Sequence, residues 1–167
     1  CDCLMNELER QKQNCKNRYW RLNHLYTIRD VNGSAITFKM NEAQQDLYKN
    51  LHYFNVILKA RQLGFSTFIM MYCLDSAIWN DNQKCGIIAH TKQDAEDIFN
   101  DKIRFAYNAL PDWLKLQCPA KVETARKLEF LNGSSVTVGT SLRGGTLQKL
   151  HISEYGKIAA RYPDKAK

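Results

Sequence analysis

The chain has 167 residues, 44% hydrophobic and 25% charged, a mixture that excludes wholesale disorder; 8 Gly and 3 Pro exclude a collagen-like or low-complexity chain. With 24 Lys+Arg against 17 Asp+Glu the formal charge is +7, and the excess lies late: residues 111–167 carry 10 basic and 5 acidic groups, whereas residues 51–110 carry 6 of each. This leaves two readings, a solvated basic surface or a polyanion partner that gains affinity as counterions are released. No apolar run reaches the ~20 residues of a membrane-spanning helix, and the longest, Phe65 to Ile78, is interrupted by Ser66, Thr67, Asp75 and Ser76. The sequence opens without Met and with no secretory signal, and it reads as a piece of a longer protein.

In chain order, Leu4 to Leu22 is polar with a thin apolar stripe and predicts a surface helix. Leu25–Arg29 and Ala35–Lys39 alternate around Asn32-Gly33, a hairpin signal because both turn residues tolerate positive φ. Asn41 starts a helix to about Leu51, with Gln44 three residues on in the manner of a capping box. Phe54 to Leu58 is apolar and β-branched and predicts a buried strand. Lys59 to Gly64 is a tight loop, Ser66 to Trp79 a helix, and Cys85 to Ala89 a second buried strand. Thr91 caps a helix over about 92–109 that Pro111 stops. Lys127–Leu131 and Val136–Val138 flank the turn Asn132-Gly133-Ser134-Ser135. A Gly-rich loop, Leu142 to Gly145, precedes a third buried strand, Leu150 to Ile152.

Of the six cysteines, Cys73 and Cys85 sit in apolar patterns where thiols act as small hydrophobes. Cys1, Cys3, Cys15 and His24 could form a zinc set, but their spacing matches no common finger, and reduced thiols in a cytosol fit best.

Strands alternating with helices predict an α/β layered fold with a largely parallel sheet, whose ligands bind beyond the carboxyl ends of the strands. Loops 59–67, 90–92 and 153–156 converge there. A phosphate loop needs inward N–H groups, a cation and a hydroxyl for Mg²⁺ at a helix N-terminus. Residues 59–67 offer Gly64, the cations Lys59 and Arg61, and the hydroxyls Ser66 and Thr67, with Gln62 inside the loop. They depart from the usual pattern twice: Phe65 stands where the lysine is expected, and Lys59 where the first glycine is expected. The bland reading is a strand–turn–helix with an ordinary Ser cap. After the third strand come Ser153 and Glu154. Phosphate-loop ATPases place there a carboxylate for the metal and another that polarises water. Ser153 can serve the metal only through its hydroxyl or a water, and Glu154 holds the general-base position.

The combination resembles the ATPase half of the large terminase subunit, the DNA-packaging motor of tailed bacteriophages. The segments carrying it are Asn41-Glu42-Ala43-Gln44-Gln45, Ala60-Arg61-Gln62-Leu63-Gly64, Gly86-Ile87-Ile88-Ala89-His90, Leu110-Pro111-Asp112-Trp113-Leu114, Leu131-Asn132-Gly133-Ser134-Ser135, and Arg143-Gly144 before the strand that delivers Glu154, followed by Tyr155-Gly156-Lys157. The resemblance implies a phosphate-loop NTPase fold of the ASCE type over residues 36–167, incomplete at its C-terminal side, preceded by a helix-and-hairpin appendage over 1–35. It implies ATP and Mg²⁺ as cofactors, with Gln44 or Gln45 reading adenine, Lys59, Arg61, Gln62, Gly64, Ser66 and Thr67 holding the nucleotide, and Ser66 and Ser153 near the metal. Glu154 would be the catalytic carboxylate, and Arg143 would reach a neighbouring subunit's nucleotide. His90 and Lys92 would sense the nucleotide. The implied partners are double-stranded DNA, the small terminase subunit, the portal protein and further copies in a ring. The implied place is the cytoplasm of the bacterial host, with no membrane. The family's coupling motif and nuclease would lie beyond residue 167. Two other functions remain open: a non-catalytic nucleotide-binding remnant or assembly module, and a basic DNA-binding domain in which loop 59–67 holds a DNA phosphate.

Overall fold

The computed structural model describes residues 2–58, 63–142 and 145–161. Two helices open the chain, α1 (Asp2–Asn14) and α2 (Arg18–His24). The single surface helix expected over 4–22 is thus divided, because Asn17 turns out of the helical conformation and its side chain accepts the N–H of Trp20 as an N-cap. Strands β1 (Thr27–Arg29) and β2 (Ala35–Thr37) pair antiparallel around the Asn32-Gly33 turn, where Gly33 has φ +81°. Helix α3 (Glu42–Lys49) begins with the expected capping box: Asn41 accepts the Gln44 N–H, and Gln44 accepts the Asn41 N–H.

The centre of the molecule is α4 (Phe65–Trp79) and a five-stranded sheet. Its strands are β3 (Lys84–Ile88), β4 (Ala120–Glu123), β5 (Lys127–Phe130), β6 (Ser135–Gly139) and β7 (Lys149–Ile152), in spatial order β4-β5-β6-β3-β7. The connection from β3 to β4 is helical: α5 (Lys92–Ile98), a π-helical stretch Phe99–Arg104, α6 (Phe105–Asn108) and α7 (Asp112–Gln117). A last helix, α8 (Tyr155–Arg161), follows β7. The fold is therefore mixed α/β. The sheet is less parallel than expected: β3 is parallel to both β6 and β7, but β4–β5 and β5–β6 are antiparallel. The hairpin at Asn132-Gly133 makes the second of these, since a two-strand turn can only return the chain antiparallel.

Two expected strands behave differently. Residues 54–58 form no strand and lie in solvent, with Phe54 79%, Val56 73% and Leu58 94% exposed. A β-branched apolar run suits a pleated surface, but only once its backbone is paired, and residues 54–58 pair with none of the described strands, the outer edge of β7 included. β7 does form, but not as a buried strand. It is the sheet's outer strand, and Leu150 is 53% exposed.

The core joins both parts of the chain: Leu22, Tyr26, Phe38 and Met40 pack in one cluster with Phe68, Met71, Leu74, Ile87, Phe99, Phe130 and Val136. Helix α2 is fastened to α4 by Asp75, which interrupts α4's apolar run and is fully buried. Its Oδ1 accepts from Arg21 Nε at 2.7 Å and Tyr26 Oη at 2.8 Å; its Oδ2 accepts from Arg21 Nη2 at 2.8 Å and Arg18 Nε at 3.0 Å. A buried carboxylate is tolerable only when its lone pairs are met in this way. Burial and the neighbouring Asp75 push the Tyr26 hydroxyl well above the ordinary phenol range.

The far end of α4 is closed by the β5–β6 turn. Asn132 Nδ2 donates to the Ala77 carbonyl at 2.9 Å, Ser134 Oγ donates to the Asn80 carbonyl at 2.7 Å, and Gln83 N–H donates back to Ser134 Oγ at 3.0 Å. These contacts serve carbonyls that a helix C-terminus leaves unmet.

Candidate functional site

Chain direction decides which ends meet. A four-residue connection, 80–83, joins α4 to β3, so α4 runs antiparallel to β3 and its first turn lies at the rim where β3 ends. β7 is parallel to β3 with Ile152 opposite Ile88, and Ser153 N–H donates to the Ile88 carbonyl at 2.8 Å. β6 ends at the same rim, Gly139 opposite Ile88. The ends of β6, β3 and β7 and residue 154 therefore share one edge of the sheet, and the short connection turns the start of α4 toward that end.

Helix α4 begins without a side-chain cap. Its N-cap is Gly64, left-handed at φ +69°. The N–H groups of the first turn, Phe65 to Thr67, have no partner inside the helix, which is the usual preparation for an anion. Gly64 is held from α3: Gln44 Nε2 donates to the Gly64 carbonyl at 2.8 Å, and Asn41 Nδ2 donates to the Leu63 carbonyl at 3.2 Å. A Cβ on residue 64 would lie 2.6 Å from Gln44 Nε2, so a side chain there would displace the Gln44 amide as well as strain the backbone. The amide of Gln44 is largely committed: Oε1 accepts from Asn41, Nε2 donates to Gly64, and the side chain is buried. Among the described residues one of its N–H groups and one lone pair make no hydrogen bond. Gln45 donates Nε2 to the Met40 carbonyl at 2.9 Å, within its own helix start.

Thr67 Oγ1 accepts from Lys102 Nζ at 3.1 Å. Lys102 comes from the π-helical stretch, and this contact has no signature in the sequence around the loop. Beside it lies a cleft of about 350 Å³ between the β1–β2 turn, Thr67, Asp101 and Lys102.

Glu154 sits just beyond β7 with φ +54°, one of two non-glycine residues in the left-handed region among the described residues. For a residue with a side chain this conformation is strained, and such strain gathers at functional positions. Its carboxylate pairs with Lys157 Nζ at 2.7 Å on the surface. Ser153 is half-buried. His90 Nδ1 lies 3.8 Å from the Asp94 carboxylate, and Lys92 is exposed. The loop after β6 crosses the sheet at Gly86, where an added Cβ would meet Leu142 and Leu147 at 2.5 and 2.7 Å.

Lys59, Arg61, Gln62 and Arg143 lie outside the described residues, as does Cys1. The structure brings Gln44 onto Gly64 at the start of α4 and sets Ser153 and Glu154 just beyond β7. The expected delivery of the loop by a strand is corrected: the described approach to α4 is the exposed segment 54–58, and the clamp from α3 fixes Leu63 and Gly64. Among the described residues no group of three His, Cys, Asp or Glu is arranged to hold a metal ion. No helix among them is long and apolar enough to cross a membrane. The sequence matches no family model.

Proposed function

We propose that the chain is the nucleotide-binding part of an ATP-driven motor of the terminase large-subunit type, which moves double-stranded DNA into a capsid. The observation carrying this reading is the uncapped, glycine-led start of α4, held against α3 by Gln44. The donor set fits Mg²⁺-ATP: first-turn N–H groups with no partner inside the helix suit phosphate oxygens, and the Ser66 hydroxyl suits Mg²⁺, which keeps much of its shell as water and phosphate. Bound ATP would supply a γ-phosphoryl group for transfer to water.

In this reading Gly64 lets the backbone approach the phosphates, Ser66 shares in holding Mg²⁺, and Gln44 fixes the loop against α3. Glu154 orients the attacking water and takes its proton. Lys59 and Arg61 add positive charge from the loop, and Arg143 acts on the nucleotide of a neighbouring copy in a ring. DNA is held by its backbone, without reading of sequence. The portal protein, the small terminase subunit and the host cytoplasm belong to the same reading.

Titration calorimetry with Mg²⁺ and a non-hydrolysable ATP analogue tests the binding half. Turnover by the wild-type chain and by Glu154→Gln tests the chemistry: loss of a general base costs about 10²–10⁴-fold. Turnover of the variant within a few-fold of wild type removes Glu154 from the role. Binding without any turnover favours a nucleotide-binding module, a reading that Ser153, a hydroxyl where the family carries a metal-binding carboxylate, already supports.

A further inference from the structure

At the opposite end of α4 the cations outnumber the one carboxylate they meet. Arg18 and Arg21 share Asp75, which is fully buried, and Arg21 is itself 5% exposed. Lys16 stands in the turn between α1 and α2 and forms no ion pair among the described residues. Three positive charges against one negative leave an excess of two in a partly buried place, and charge withdrawn from water without a counter-ion is costly.

A cleft of about 540 Å³ opens on this group, between the α1–α2 turn and the C-terminal end of α4. Lys16, Arg18, Arg21, Tyr48, Trp79 and Asn80 line it, and no carboxylate among the described residues does. Both guanidinium groups are fixed in advance. Arg21 lies over the Trp79 ring at 4.6 Å and Arg18 over the Tyr72 ring at 5.0 Å. Arg18 donates to Asp75, Tyr72 and Ser76, and Arg21 donates twice to Asp75 and once to the Cys15 carbonyl. A guanidinium has five N–H groups, so each arginine keeps further donors that make no hydrogen bond among the described residues. Capping of α4 does not account for these cations. Its last carbonyls are met by neutral groups: Ser76 by the Asn80 amide, Ala77 by Asn132 and Asn80 by Ser134.

We propose that this cleft is a binding site for a phosphoryl dianion, whose oxygens are met by Lys16, Arg18 and Arg21. The charge excess selects the class: a phosphate or phosphate monoester carries about 1.5–2 negative charges at neutral pH, whereas a carboxylate carries one. The site lies at the other end of α4 from the nucleotide reading above and does not rest on it.

The test is a titration followed at Trp79. The ¹⁵N-labelled chain has three tryptophans and so three indole N–H signals. Trp79→Phe identifies the one in the cleft, or Trp20→Phe and Trp113→Phe identify it by elimination. At constant ionic strength, inorganic phosphate and phenyl phosphate should each move that signal to saturation, while acetate should need about tenfold more. Tighter binding of phenyl phosphate assigns the site to an esterified phosphate; equal or weaker binding assigns it to the free ion. Lys16→Glu should raise the half-saturating phosphate concentration about tenfold, in line with loss of a charge-assisted hydrogen bond, and Lys16→Ala about threefold. Lys39→Glu, the same change at an exposed position outside the cleft, should stay within about twofold. Dispersed indole signals show that each variant is folded. A Trp79 signal that phosphate leaves in place, an equal response to acetate, or unchanged half-saturation in a folded Lys16→Glu each overturns the proposal. Phosphate bound at the start of α4 is not read at Trp79, so the nucleotide reading stands or falls separately.

Discussion

The side-chain amide of Gln44 and the carbonyl of Gly64 meet at 2.8 Å, in the space that a Cβ on residue 64 would have to enter. The capping-box glutamine of α3 thus also holds the residue from which α4 starts. Two segments that are separate in sequence are made into one unit at the rim.

This coupling is measurable. Gly64→Ala forces a side chain into the left-handed region, at about 1–2 kcal/mol, and against Gln44. In a Gln44→Ala background the second part vanishes. Urea unfolding of wild type, both single variants and the double variant should give a coupling of about 1 kcal/mol or more. Additivity within about 0.5 kcal/mol would show that the two residues act independently.

Glu154 is expected to hold its strained backbone at a cost to stability. Its ion pair with Lys157 is exposed on both sides and contributes little. Glu154→Gly should therefore leave stability unchanged or raise it by up to about 1 kcal/mol, while ATP turnover falls with the lost carboxylate. The midpoint of urea unfolding and a turnover assay on the same sample check this; a clear fall in the midpoint refutes it.

Much of this edge was legible in the residues. The pair Asn41 and Gln44 announced a capping box, Asn32-Gly33 and Asn132-Gly133 announced hairpins, and Thr91 announced its cap. These are local signals, satisfied within a few residues. Features that depend on a distant partner were not legible. Residues 54–58 have the composition of a strand, but composition does not provide an edge to pair with. β4 was missed because Ala120–Glu123 alternates with charge and runs along the sheet's other border, exposed over most of its length. Asp75 looked like a mere break in an apolar run, because its partners Arg18, Arg21 and Tyr26 lie about fifty residues earlier. Lys102 carried no motif, since only the π-helical turn brings it to Thr67.

The Asp75 cluster gives a third expectation. Asp75→Asn keeps the shape but leaves two guanidinium groups facing a neutral amide. Removing one partner of a buried ionic group costs about 3–5 kcal/mol. Chemical denaturation should show a loss of that order, with α2 opening first in hydrogen exchange. A loss below about 1 kcal/mol would mean that the arginines turn outward to solvent at no cost.

Alkaline pH supplies a fourth. Burial pushes the Cys118 thiol up to about 11 from its ordinary 9.0. In the unfolded chain the thiol ionises first, so between these values the folded state binds more protons, and stability falls as pH rises. The stabilisation is complete below pH 9.0 and gone above about 11. Cys118→Ala should flatten the stability profile across that window by at most about 3 kcal/mol. An unchanged slope would assign the alkaline loss to other groups, Tyr26 first among them.

Helix α4 is gripped by amide side chains at both extremities, Gln44 on the Gly64 carbonyl and Asn132 on the Ala77 carbonyl. Its 15 residues span about 21 Å. An element tied in this way sets a fixed spacing: its own backbone ladder resists shortening, so the loop before α4 and the 132 turn are held about one helix length apart.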